Sequence, residues 1–419
     1  MNQKKIVLSV LAAALLSPLM ANATNGYFSH GYGIKAKGMG GVGIALPQDS
    51  LAAATNPAGM VMVGDRIDLG VDWFMPNRGS SITGNAFGAD ASYSGNGKSN
   101  FLIPEFGYNK MMSSDMSLGV AVYGNGGMNT NYTTNPFGRF GATGTAGINL
   151  EQLFIAPTWA MKLNPQHSIG VSLNLVYQTF SATGLTPFMG MSSNAAFVTD
   201  TGTDSSTGMG LRLGWTGEIT PEFTMGATYQ PKTKMSKFSK YSGLFAEQGG
   251  FDIPASYGIG FAYKIMPSTT MAFDIEKIDY GNVASIANSN AAGGALGMSN
   301  GAGFGWQNMT VYKLGVSHAW SDAWTVRAGY NHNNAQIPAS QTFFNILAPG
   351  VVQDHVTLGA TWNVSKDNEL SFSYMHAFKQ TVNGVNSIAP GFPPAGMGGG
   401  NANINMYQDS LGVAYSWKL

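Results

Sequence analysis

Residues Ser168 to Gln178 read Ser-Ile-Gly-Val-Ser-Leu-Asn-Leu-Val-Tyr-Gln, and the pattern has a period of two. Ile169, Val171, Leu173, Leu175 and Tyr177 share one face, with Ser172, Asn174 and Gln178 on the other. Successive side chains of a strand point to opposite sides, so this stretch predicts a strand between an apolar and a polar environment. The pattern recurs along the chain. Leu411, Val413, Tyr415, Trp417 and Leu419 oppose Gly412, Ala414, Ser416 and Lys418, while Val356, Leu358, Ala360 and Trp362 oppose Thr357, Gly359 and Thr361. A tilted strand of about 9–11 residues crosses a bilayer.

The connections between such segments have a polarity of their own. Tight turns fall at Ser113-Ser114, Asn164-Pro165, Thr220-Pro221, Met266-Pro267, Ser321-Asp322 and Ser365-Lys366-Asp367. Long Gly/Asn/Ser-rich connections alternate with them, near 77–99, 124–147, 181–206, 233–252, 281–304, 333–350 and 379–403. Short turns at one end and long loops at the other are the asymmetry of an outer-membrane barrel. Fourteen strands are predicted, near 66–76, 101–111, 115–123, 148–162, 167–180, 207–219, 222–231, 253–265, 268–280, 306–318, 322–332, 351–364, 368–378 and 404–419. An even number lets the last strand close on the first and leaves no edge. The expected fold is all-β: a fourteen-stranded antiparallel transmembrane β-barrel over residues 66–419. A soluble sandwich would need a second apolar face, and here that face is Gly, Ser, Thr and Asn. Trp73, Tyr108, Trp159, Tyr229, Tyr263, Trp320, Trp324, Trp362 and Trp417, near strand ends, fit interfacial girdles. The chain ends in Leu419, where such barrels usually end in Phe; Tyr415 and Trp417 supply the aromatic character.

Composition agrees with an exported membrane protein. Charged residues are only 11% of 419, glycine reaches 56, and mean hydropathy is −0.01. Beyond the N-terminus no run approaches eighteen consecutive apolar residues, so transmembrane helices are not expected. Residues 1–23 read as a signal peptide: Lys4 and Lys5, an apolar Ile6 to Met20 interrupted by Pro18, then the small-x-small Ala21-Asn22-Ala23. Its removal leaves 20 cations against 22 carboxylates, which gives no hint of nucleic acid as a partner. With no cysteine, disulfides, thiolate metal sites and a lipoprotein anchor are closed. The six histidines show no ligand spacing, so no metal and no cofactor is expected.

Residues 24–65 do not alternate. This glycine-rich stretch, with a short Ala-rich helical patch from Ser50 to Thr55, is too small for a core of its own, and its economical place is inside the lumen as a hatch. The Gly-x-Gly repeats, Ala45-Leu46-Pro47-Gln48-Asp49-Ser50-Leu51-Ala52-Ala53 and Asn56-Pro57-Ala58-Gly59 resemble the hatch of the FadL/TodX family, outer-membrane transporters of fatty acids and aromatic hydrocarbons. Ser321 to Tyr330 and Ser371 to His376 are similar to that family's late strands, and the resemblance covers the whole mature chain. It implies a fourteen-stranded barrel, a hatch ending at Asn56, Pro57 and Ala58, and passive passage of apolar ligands through a lateral opening. In the family that opening comes from an inward kink of the third strand. Here alternation stops at Tyr123, and Gly124, Asn125, Gly126 and Gly127 follow. On the residues alone they are a bend or the start of a loop; the resemblance favours the bend.

Candidate ligand-binding residues follow. Two long loops carry Leu185, Phe188, Met189, Met191, Phe197 and Val198, and Phe238, Tyr241, Leu244, Phe245 and Phe251. Exposed apolar patches mark binding surfaces, while about half of these residues are expected to pack the loops together. A fatty acid would need a cation for its carboxylate. By alternation Arg212, Lys313 and Arg327 face the lumen, where Asp68, Asp72, Glu105, Asp274 and Glu276 compete for them. Phe28 resembles the aromatic residue that the family's hatch inserts into its inner pocket. Gly38-x-Gly40-x-x-Gly43, Gly297-x-Ser299-x-Gly301 and Gly97-Lys98-Ser99 lack the strand and helix contexts of nucleotide or nucleophile motifs. The expected protein is therefore a monomeric, non-enzymatic transporter of long-chain fatty acids or other hydrophobic compounds. Hydrocarbon uptake is the alternative, ahead of a general porin or a barrel lipase. Its expected partners are those small molecules, outer-membrane lipid and lipopolysaccharide.

Overall fold

The computed structural model describes residues 24–291, 293–391 and 396–419, so the targeting segment read at 1–23 lies outside the described residues. Fourteen strands run in chain order: β1 (Arg66–Thr83), β2 (Phe101–Met111), β3 (Met116–Tyr132), β4 (Ala146–Lys162), β5 (His167–Thr183), β6 (Asp204–Thr220), β7 (Phe223–Gln230), β8 (Ser256–Met266), β9 (Thr269–Ile278), β10 (Met309–Ala319), β11 (Trp324–Asn333), β12 (Asp354–Asn363), β13 (Asn368–Val382) and β14 (Asn401–Lys418). Each pairs antiparallel with its neighbour, and β14 closes on β1 from Arg66↔Lys418 to Thr83↔Asn401. A four-residue strand, Ala91–Ser94, lies along the far end of β1. Closure of β14 on β1 removes the two end edges of the sheet, as a bilayer-spanning sheet requires.

The period-two reading of the fifth strand holds in space. Leu175 and Tyr177 are exposed on the outer face, whereas Ser168, Ser172, Asn174 and Gln178 are buried inside. Turns of two to four residues close one end of the barrel and loops of thirteen to thirty close the other. Trp73, Tyr229, Tyr263, Trp320, Trp324 and Trp362 stand exposed on the outer wall, as girdle residues do. Two outward polar groups near the loop end are internally satisfied in the same way. Asp354 faces Tyr330 and His332 (Nδ1 at 2.8 Å), and Asp409 faces Tyr374 and His376 (both 2.8 Å).

The inner face departs from the sequence reading in its upper half. Towards the turn end it is polar, but towards the loops Ile82, Ile148, Leu150, Phe154, Phe180, Met309, Val311 and Ile404 point inward and join one apolar cluster with Tyr27, Phe28, Leu51 and Met60 of the segment preceding β1. Alternation assigns apolar side chains to lipid by default. It fails where the lumen is filled with protein, because both faces are then dry.

Candidate functional site

The long loops and the upper lumen form a narrow apolar cleft of about 40 Å³. Leu185, Phe188, Leu244 and Phe245 from the two apolar loops line it. Ile148 and Phe180 come up from the inner faces of β4 and β5, while Leu296, Phe304, Phe344 and Leu347 come from two further loops. Phe180 and Phe245 lie 4.6 Å apart, and Phe188 meets Phe344 edge-on at 5.4 Å, both normal for packed aromatic pairs. Phe238 and Tyr241 stand behind this lining. Both are fully buried against Phe180, and the Tyr241 hydroxyl donates to Gly202 O (2.8 Å) while accepting from Ala182 N (2.9 Å), which pins one loop to β5. Met189 packs against the same cluster, and Phe197 is exposed and does not line the cleft.

Below the cleft the wall changes. The β2/β3 ladder runs only from Met111↔Ser117 to Phe106↔Val122. Both strands continue past it, β2 pairing β1 as far as Phe101 and β3 pairing β4 as far as Tyr132, with a bulge between Gly124 and Gly126. The wall therefore has a gap between Phe101–Glu105 and the segment after Val122. In place of β2, this part of β3 pairs with the segment preceding β1. Ser29 N donates to Asn125 O (3.0 Å), Gly127 N donates to Tyr27 O (2.9 Å), and Phe28 bridges Gly126. The bulge requires glycine here, since a Cβ on Gly126 would lie 1.7 Å from Tyr27 O. The Tyr32 hydroxyl donates to Asn125 O (3.1 Å) and Oδ1 (3.0 Å), and Asn125 Nδ2 donates to Gln152 (3.0 Å). Phe28 is buried beside Tyr27 (5.2 Å) and Tyr280 (5.9 Å). The glycine run read as a bend or a loop start is a bulge within a longer strand.

The rest of the N-terminal segment fills the lumen. Asn56 begins a 3-10 helix, Pro57–Met62: its Oδ1 accepts from Ala58 N (3.1 Å), and its Nδ2 donates to Ile44 O (2.7 Å), Trp215 O (2.9 Å) and Thr216 Oγ1 (3.2 Å). Pro57 at the first position loses no hydrogen bond there. Asp49 caps the preceding helix, Ser50–Ala54, by accepting from Leu51 N (3.0 Å). Lumenal carboxylates take the segment's cations and amides. Lys37 lies 3.0 Å from Asp72 and 3.4 Å from Glu105, Lys35 pairs with Glu369, and Asp274 accepts from Gly43 N (2.8 Å) and Ile44 N (3.1 Å). Burial alone would lower the Lys37 pKa, but the two carboxylates hold it above the ordinary lysine value. Burial and the adjacent Asp68 push the Asp49 carboxyl up to about 7. Burial, the stacked His355 ring at 6.4 Å and Lys37 hold His30 well below the ordinary histidine value.

The three lumenal cations read from alternation have different fates. Lys313 pairs with Glu276 at 2.9 Å. Arg212 instead donates to Gln230 (2.9 Å), Thr55 O (3.3 Å) and Thr228 (3.4 Å), and its Nε has no acceptor. Arg327 donates to Gln48 and Thr361, both at 2.7 Å. Of the acids expected to neutralise them, Glu276 does pair with Lys313, whereas Asp72, Glu105 and Asp274 are held by the N-terminal segment and Asp68 by Arg66 and Ser50.

A model of the outer membrane protein transport protein family (OMPP1/FadL/TodX) matches residues 21–397. The chain belongs to this family. Among solved structures it is similar to the toluene transporter TodX of Pseudomonas putida, with TM-score 0.68 and 19% identity over 93% of this chain and 99% of that one. It is similar to the toluene transporter TbuX of Ralstonia pickettii, with TM-score 0.66 and 16% identity over 93% and 98%. A FadL homologue of Pseudomonas aeruginosa gives TM-score 0.68 and 15% identity over 96% and 100%. At these identities the likeness is one of fold. No curated protein sequence matches the chain. As an OMPP1/FadL/TodX barrel it resides in the outer membrane, with its short turns in the periplasm and its long loops outside. Sequence reading of this FadL/TodX-family chain missed the cleft residues Ile148, Phe180, Leu296, Phe304, Phe344 and Leu347. Phe343, Phe344, Ile346 and Leu347, clustered in one polar loop, were the available signal.

Proposed function

We infer that the chain passively carries hydrophobic compounds across the lipopolysaccharide layer, as a single barrel plugged by residues 24–65. Ligand enters the apolar cleft among the outer loops, passes Phe28 at the tip of the hatch, and leaves sideways into the membrane between β2 and β3. One observation carries the reading: the β2/β3 ladder ends at Phe106↔Val122 while both strands continue, and Tyr27 to Ser29 take the place of β2 against the bulge. A gap in the wall is of no use to a polar solute, because it opens on hydrocarbon. The buried, ion-paired hatch also argues against a general porin. Long-chain fatty acids and aromatic or aliphatic hydrocarbons both fit this route. Among the residues lining the cleft only Ser285 has a polar side chain, which favours recognition of the apolar body.

Uptake of labelled oleate and toluene by cells carrying the chain tests the reading. Phe188→Ala with Phe245→Ala is expected to lower uptake of both roughly tenfold, the scale of lost apolar burial. Replacing Asn125-Gly126-Gly127 by a regular strand sequence is expected to abolish uptake in a barrel that still assembles. Normal transport by that second variant would rule out the lateral route. Small-ion conductance without uptake of either compound would replace the reading with a porin.

A further inference from the structure

The chain beyond β7 leaves the barrel without losing its extended form. Thr233 and Ile253 exchange both backbone hydrogen bonds (3.0 Å each), Ser236 N donates to Thr207 O (2.8 Å), and Met235 N donates to Asp252 Oδ1 (2.9 Å). Thr233, Met235 and Phe238 are buried, whereas Lys232, Lys234, Ser236 and Lys237 are exposed. Phe238 packs on Phe180 behind the cleft, so one face of this segment supports the cleft and the other carries lysines. Four of the chain's 22 lysines and arginines, Lys232, Lys234, Lys237 and Lys240, fall within nine residues.

Little negative charge answers this run. Lys232 reaches the Asp252 carboxylate only at 3.7 Å. Lys237 donates to Glu247 O and Lys240 to Thr203 O (2.9 Å), both neutral carbonyls, and Lys234 has no acceptor among the described residues. Asp204, the other acid beside the run, accepts from Lys240 N (2.8 Å) rather than from an ammonium. The strands beneath set the height of the row. Tyr229 on β7, Tyr257 on β8 and Lys277 on β9 are cross-strand neighbours on the outer wall, and Lys277 Nζ lies 5.9 Å from the Tyr257 ring centre and 3.9 Å from Asp279. Girdle tyrosines sit at the boundary between hydrocarbon and headgroups. Lys232 follows Tyr229 by three residues, so the lysines begin roughly 10 Å further along the chain, at headgroup height. The loop end of β11 to β14 instead carries Asp354 and Asp409 with their tyrosine partners, which confines the basic row to one sector of the barrel.

We propose that Lys232, Lys234, Lys237 and Lys240 form a seat on the outer wall for the phosphate groups of lipopolysaccharide. An ammonium is a compact point charge suited to phosphate, and the lysine stem lies against apolar surface while its head stays in the polar layer. The extended ladder fixes the backbone under the row, so the charges are presented on a firm base. A lipid bound there braces the 233–252 loop from outside while Phe238 and Tyr241 hold it from inside, and the cleft mouth is kept within the lipopolysaccharide layer. The seat does not depend on the route that cargo takes through the barrel.

The test is binding of fluorescent bis-phosphorylated lipid A, and of the same lipid with its phosphates removed, to the purified barrel in detergent. Clustered lysines at an anionic lipid surface each add roughly fivefold to binding. The wild type is therefore expected to hold the phosphorylated lipid roughly a hundredfold more tightly. Lys232→Gln, Lys234→Gln, Lys237→Gln and Lys240→Gln together should erase that preference by weakening the phosphorylated lipid alone, with heat-modifiable migration reporting folding. The same four positions changed to Arg should bind as the wild type does. Lys264→Gln with Lys366→Gln, at the turn end, controls for net charge and should change nothing. Equal affinity of the wild type for the two lipids, an unchanged preference in the four-Gln variant, or an equal loss in the turn-end control would overturn the seat. Full displacement by millimolar inorganic phosphate at constant ionic strength would also overturn it, in favour of a small-anion site.

Discussion

Lys37→Met probes how firmly the hatch is held. Lys37 Nζ lies 3.0 Å from Asp72 and 3.4 Å from Glu105, and all three side chains are nearly fully buried. Deleting one partner of a buried pair costs about 3–5 kcal/mol, because the other charge is left behind. The variant should therefore shift the docked-to-released ratio of the hatch by roughly a hundredfold to several thousandfold. The strand ladder does not pass through Lys37, so barrel assembly is expected to be unchanged. Planar-bilayer conductance is the assay: the variant should open a water-filled path that the wild type keeps closed. Adding Asp72→Asn and Glu105→Gln should reclose the lumen, since an uncharged cluster has no such penalty. A single variant as closed as the wild type, or a triple variant as leaky as the single, would refute the ion pairs as the hold on the hatch.

Further outcomes follow from individual contacts. Asn56→Ala removes a helix cap and three donated bonds to Ile44, Trp215 and Thr216, and should weaken hatch docking by about 2–3 kcal/mol, read as faster amide exchange over 56–62; unchanged exchange would count against this anchor. Gly126→Ala places a methyl 1.7 Å from Tyr27 O and should displace the hatch tip and cut uptake while heat-modifiable folding persists; full uptake would show that tip pairing is dispensable. His30 is held well below the ordinary histidine value by burial, so its contribution to docking is complete above about pH 6.5 and is lost as pH falls towards the depressed value. Protease sensitivity of the hatch should accordingly rise on acidification, and His30→Gln should flatten that rise. An identical profile in the variant would assign the acid effect elsewhere.

The parts of this protein that were legible in one dimension are those whose neighbours are water or lipid. Leu175 and Tyr177 face lipid while Asn174 and Gln178 face inward, so period two alone located β5, and contrasting loop lengths gave its direction. What escaped lies where protein meets protein inside the barrel. Ile148, Leu150 and Phe180 point inward yet are apolar, because their surroundings are loops and hatch, and alternation cannot tell a dry lumen from lipid. The same cause explains β3. Its reading stopped at Tyr123 because Gly124 to Gly127 looks like a loop, whereas the strand runs to Tyr132 with the hatch backbone as its partner. The cations follow suit: Lys313 found the acid that alternation offered it, but Asp72 and Glu105 went to Lys37, a residue whose position no periodicity predicts. Once those acids are spent on the hatch, the lumen is left with the arginines Arg78, Arg212 and Arg327 bound only to neutral groups. Locking the plug and leaving these arginines without acids are therefore two consequences of one assignment of carboxylates. Releasing Asp72 by Lys37→Met should accordingly alter conductance while the neutral contacts of Arg78, Arg212 and Arg327 stay as they are.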